Sequence, residues 1–147
     1  MTHRKRQNGA AFHRLVEEMR KSKLKMTEPR KAILEILLAD HGPFTVDEIH
    51  SQIPRRNCDL VTIYRFLSGL EEVGLLRRCD FGDGAVRYEI AEQQGSHHHH
   101  HVICKKCRTV KVLEDCELDQ LDKFPSNLGF SEVSHSLEFF GICPSCK

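Results

Sequence analysis

The stretch DLVTIYRFLSGLEEVGLLRRCDFGDGAVRYEI, residues 59–90, changes its period in the middle, and that change decides the fold. Up to Gly74 the apolar residues Ile63, Phe66, Leu67 and Leu70 recur three and four apart, which is one face of a helix. Asp59 stands where an N-cap is expected and Gly74 where a helix closes. Beyond Gly74 the segments LLRRCDF and AVRYEIA are β-prone and flank Gly82-Asp83-Gly84, the signature of a hairpin around a tight turn.

Upstream lie three more helical segments. Ala11, Phe12, Leu15, Val16 and Met19 recur at helical spacing. In MTEPRKAILEILLADHG, residues 26–42, Thr27 can cap, Pro29 fits the first turn, and Ile33, Leu34, Leu37 and Leu38 form a face. TVDEIHSQI, residues 45–53, opens with Thr45 and carries Glu48 three residues on, a capping-box pattern. Helices followed by a two-stranded wing predict a winged helix-turn-helix whose recognition helix is the segment after Asp59.

The chain has 147 residues, room for one compact unit or two small ones. Its 39% hydrophobic and 29% charged residues are ordinary for a globular protein. No apolar run approaches the ~20 residues of a membrane helix, and the basic start has no apolar core behind it, so a cytoplasmic protein without membrane contact is expected. The net charge of +1 is unevenly spread. Residues 1–31 hold ten Lys/Arg against Glu17, Glu18 and Glu28, whereas residues 91–147 hold six against eight Asp/Glu. A basic front suggests a polyanion at one end only, although a solvated basic helix reads the same way.

Gln93–Ser96 reads as a polar hinge between two domains. After it come a strand at HHHHHVIC, a Cys-x-x-Cys turn, a strand at TVKVL, a helix at CELDQLDKF, a strand at SHSLEFFGI and a terminal CPSC, together a small α/β unit. Cys104-x-x-Cys107 and Cys143-x-x-Cys146 match the soft, tetrahedral preference of Zn²⁺ for four thiolates; a closed site of that kind is structural. The 35 residues between the pairs exceed the usual zinc-ribbon spacing, but a strand-helix-strand can bring the chain back. Cys58 reads as a small buried hydrophobe, and Cys79 and Cys116 as packing residues or spare ligands.

His97–His101 resembles an affinity tag, yet it is internal and runs into a strand that ends in a thiolate knuckle. Strand alternation would put His97, His99 and His101 on one face and His98 and His100 on the other. With Glu89, Asp119 and His135 as candidate partners they form a mixed N/O set suited to Zn²⁺, Fe²⁺ or Mn²⁺.

The combination of TIYRFL in a recognition helix, then HHHHHVICKKC, then HSLEFFGICPSC, resembles the ferric uptake regulator family from about Lys23 to Cys146. The resemblance implies an α+β protein: a winged helix-turn-helix DNA-binding domain at 1–92, a hinge at 93–96, and a metal-binding α/β dimerisation domain at 97–147. It implies a structural Zn²⁺ on Cys104, Cys107, Cys143 and Cys146, and a regulatory Fe²⁺ or Zn²⁺ on Glu89, His99 and His101, completed by His41 or Cys79. A second metal would use His98, His100, Asp119 and His135. Lys25, Thr62, Tyr64 and Arg65 would contact DNA. Three departures stand out: Pro43 replaces a histidine ligand of many relatives, Arg108 a common glycine, and Val112 the aspartate ligand of peroxide sensors.

The function implied is a homodimeric, metal-responsive repressor of metal-homeostasis genes that binds double-stranded operator DNA, with no organic substrate and no enzymatic activity. Alternatives are a peroxide-responsive repressor, a metal-dependent hydrolase and a metal-storage protein. Nothing in the sequence singles out the general base and substrate pocket a hydrolase needs, and storage leaves the winged helix unexplained.

Overall fold

The computed structural model describes residues 2–39, 42–54, 58–91, 99–113, 125, 127–131, 133 and 137–147. The chain forms two compact units, Met1–Glu92 and Gln93–Lys147.

The first unit holds α1 (Thr2–Lys21), α2 (Glu28–Ala39), β1 (Phe44–Thr45), α3 (Val46–Gln52), α4 (Leu60–Glu72), β2 (Leu76–Asp80) and β3 (Val86–Ile90). The starts of α3 and α4 follow their sequence signals. Thr45 accepts from the Glu48 amide while Glu48 reaches back to the Thr45 amide at 2.7 Å. Asp59 Oδ1 accepts from the Thr62 amide at 2.7 Å. Gly74, with φ +72°, ends α4 in the left-handed region where glycine carries no Cβ penalty.

Ile33, Leu34, Ile49, Ile63, Phe66, Leu67 and Leu70 are wholly buried and form the centre of the core, with Leu15 and Met19 of α1 against them. Each such side chain contributes roughly 1.5–3 kcal/mol on burial. The wing is a three-stranded sheet in the order β1-β3-β2, where the sequence suggested two strands. Phe44 pairs with Tyr88 and Thr45 with Arg87. A two-residue strand directly ahead of a capping box is too short to leave a period-2 signal.

Alternation divides the wing. Leu76, Val86, Tyr88 and Ile90 pack on the helical core. Arg77, Cys79, Arg87 and Glu89 take the other face. There Arg87 holds Asp83 through two bonds of 3.0 and 2.9 Å, both side chains being at most 5% exposed, and its guanidinium lies 5.5 Å from the Phe81 ring centre. This pair clamps the Gly82-Asp83-Gly84 turn, because Asp83 Oδ1 also accepts from the Ala85 amide.

The second unit is a three-stranded sheet in the order β5-β4-β6, with β4 at His100–Cys104, β5 at Val110–Leu113 and β6 at Glu138–Gly141, ending in a 3₁₀ turn at Pro144–Cys146. β4 begins at His100, later than the expected start at His97, and β6 is shorter than SHSLEFFGI. The expected helix at 116–124 lies outside the described residues. No helix among the described residues is long and apolar enough to cross a membrane.

Asp83→Ala is expected to lower the unfolding free energy by about 3 kcal/mol or more, since it leaves the Arg87 guanidinium buried without that carboxylate. Denaturant unfolding followed by circular dichroism measures it.

Candidate metal centres and nucleic-acid face

The two Cys-x-x-Cys pairs meet because β6 runs parallel to β4, with Cys104 in register with Gly141. Each strand therefore delivers its knuckle at the same end. The four Sγ atoms lie within 4.8 Å of one another, and Cys107 Sγ is 3.6 Å from Cys143 Sγ. A tetrahedron with Zn–S bonds near 2.3 Å has edges of about 3.8 Å, so this donor set fits Zn²⁺.

The surrounding backbone prepares the thiolates. Hydrogen bonds from the backbone at Cys107 and Cys143 pull the Cys104 thiol down to about 6, and the Cys143 amide donates to Cys104 Sγ at 3.4 Å. The Thr109 hydroxyl beside Cys107 Sγ, 3.3 Å away, lowers that thiol as well. Cys146 is pushed the other way, up to about 12, by its hydrogen bonds with Cys143 and Cys107. Four thiolates this close need a cation to ionise together, and a dication supplies that.

Arg108 follows the first knuckle with φ +64°, and its amide closes the turn on the Cys104 carbonyl at 3.0 Å. A left-handed backbone favours glycine, yet Arg108 adopts it with the turn intact.

At the other end of β4 both His100 and His101 are buried, so burial does not alternate along the strand. His99 precedes β4, and its ring packs edge-on to His101 with centroids 5.1 Å apart. His41, His98, Asp119, His135 and Cys116 lie outside the described residues.

Within the first unit Glu89 is 3% exposed, and Arg77 donates to its Oε1 from Nε at 2.8 Å and again from Nη2. Cys79 shares that face. Burial first, and then the Glu89 carboxylate, push its thiol up to about 12. Cys58 is half-buried against the core.

On α4, Tyr64 and Arg65 are exposed and Thr62 is half-buried beneath the Asp59 cap. Hydrogen bonds from Thr62 hold the Asp59 carboxyl below the usual carboxylate range, helped by the Arg65 charge. Lys25 is exposed in the α1–α2 loop. Sequence reasoning missed how that loop is placed. Arg30 donates to the Lys25 carbonyl at 2.7 Å while its guanidinium lies 5.2 Å from the Phe66 ring centre. Leu24 closes against Gly69 of α4, where a Cβ would stand 3.4 Å from Leu24 Cδ2. A cation in the first turn of a helix, against the dipole preference, was the one available hint.

The sequence model described as the Ferric uptake regulator family matches residues 21–140. The chain belongs to that family. It is accordingly a metal-responsive, DNA-binding transcriptional repressor. A curated relative, the peroxide-responsive repressor PerR of Staphylococcus epidermidis, is 27% identical over 135 residues, covering 90% of this chain and 87% of that protein. Among solved structures, the ferric uptake regulator Fur of Helicobacter pylori superposes with a TM-score of 0.75 at 24% identity, over 95% of this chain and 93% of that one. A zinc-bound manganese uptake regulator gives 0.71 at 30% identity, over 88% and 98%.

Cys143→Ser is expected to reduce tightly bound zinc from near one ion per chain to well below it and to expose residues 93–147 to proteolysis. Metal analysis and limited digestion of the purified protein check this.

Proposed function

We propose that the chain is a cytoplasmic homodimer, a regulator and not an enzyme, that represses metal-homeostasis genes when Fe²⁺ or Zn²⁺ occupies a regulatory site on Glu89, His99 and His101, completed by His41 or Cys79. Residues 1–92 bind operator DNA, 93–96 act as the hinge, and 97–147 bind metal and dimerise. His98, His100, Asp119 and His135 form a second metal site. Lys25, Thr62, Tyr64 and Arg65 contact DNA.

The observation that carries this reading is the layout of β4. The strand ends in a thiolate cage that fixes it and begins in buried imidazoles next to His99. An ion taken by those imidazoles engages an anchored strand, and Glu89 belongs to the DNA-binding unit. Such an ion would bias the population toward a closed dimer with two recognition helices matched to successive half-sites. The coupling is reciprocal, so DNA tightens metal binding by the same factor. Val112, half-buried in β5, offers no carboxylate, which favours metal sensing over peroxide sensing.

Arg65→Ala should abolish metal-dependent binding of a duplex selected from a random pool while zinc content and dimer mass stay unchanged. Shift assays with Fe²⁺, Mn²⁺ and Zn²⁺ titrated separately identify the sensed ion, and unchanged DNA affinity would refute the role of Arg65.

Arg77 competes with a metal for Glu89, because its guanidinium already satisfies Oε1. Arg77→Met is therefore expected to tighten binding of the regulatory ion, measured by chelator competition. Weaker or equal binding would exclude Glu89 as a ligand that Arg77 restrains.

A further inference from the structure

The solvent face of α4 is unusual at its start. Leu60 is 40% exposed, Val61 56% and Tyr64 53%, while Ile63, Phe66, Leu67 and Leu70 already fill the buried face. Val61, Tyr64, Arg65 and Ser68 fall at i, i+3, i+4 and i+7, one stripe along the helix. Its first two turns thus present apolar side chains to water beside an arginine.

Neither the Leu60 nor the Val61 side chain can hydrogen-bond to a phosphate or to a base edge. The capping carboxylate of Asp59 occupies the Thr62 amide and sets a negative charge at this helix end, which disfavours a second anion there. The N-terminal residues of a recognition helix are the ones that approach base edges in the major groove. The apolar group presented there is the pyrimidine C5-methyl, carried by thymine.

We propose that Leu60 and Val61 read pyrimidine C5-methyl groups in the operator, so that they add specificity beyond the contacts of Tyr64 and Arg65. The occupant of this exposed patch is duplex DNA, which the adjacent Arg65 and the basic first 31 residues complement in charge. The inference rests on α4 being the recognition helix.

The test uses the full-length, metal-loaded protein and a duplex it selects from a random pool. That duplex is remade with each thymine replaced singly by deoxyuracil, and with each cytosine replaced by 5-methylcytosine. Loss of one buried methyl contact is worth about fourfold in affinity. The expected result is a loss of about that size at one or two thymines per half-site, which disappears in Val61→Ala or Leu60→Ala. A gain on cytosine methylation that vanishes in the same variants also supports methyl reading and assigns the source to methylcytosine. Both side chains are substantially exposed, and retained zinc and an unchanged circular dichroism spectrum verify folding of the variants. Insensitivity to deoxyuracil and to methylation at every position overturns the proposal, as does full sensitivity retained in both variants. A change of oligomeric state in Val61→Ala, with methyl sensitivity unaltered, assigns the patch to a second copy of the chain and also overturns it. If no duplex is selected, the DNA-binding role of α4 fails, and methyl reading fails with it.

Discussion

The second unit depends on one pairing, the parallel ladder between β4 and β6. Parallel strands cannot be joined by a tight turn, so the chain must cross over before it returns. That crossover is why the two Cys-x-x-Cys pairs are 35 residues apart, and the parallel direction is why they nevertheless close on one point. An antiparallel return would have put the second pair beside the histidines. With the pairing as it is, the two ends of β4 are chemically distinct: sulfur at one end, nitrogen at the other.

The first unit achieves the corresponding placement without a metal. Arg30 ties the Lys25 backbone to the underside of α4 through Phe66, and Leu24 sits against Gly69. The exposed Lys25 and the exposed face of α4 are thus tied to the same buried aromatic ring. Polar and apolar contacts converge there, so the loop is positioned by the core itself.

Much of this was legible in the sequence because it is written in local rules. The capping box at Thr45, the cap at Asp59, the closing glycine at Gly74 and the switch from helical to alternating period all act within a few residues. The thiolate set was legible too, since soft ligands in paired knuckles have few other uses. What sequence could not supply is long-range. The pairing of Phe44–Thr45 with β3 depends on residues more than forty positions away. The bond from Arg77 to Glu89 arises only from hairpin register, in which the two residues are directly opposite. The histidine run shows the same limit: alternation suggested two faces, but His100 and His101 are both buried, because burial at a strand end follows its surroundings as well as its pleat.

Among the described residues two that are not glycine adopt left-handed backbone, Lys23 at φ +59° and Arg108 at φ +64°. The Leu24 amide reaches back to the Met19 carbonyl at 2.8 Å, the six-to-one bond of a helix stop usually built on glycine. Each such residue costs about 1–2 kcal/mol against a total stability on the order of 5–15 kcal/mol. Both turns carry a cation in place of the cheaper residue. The backbone cost accepted at each turn fixes a positive charge at a defined point of the chain.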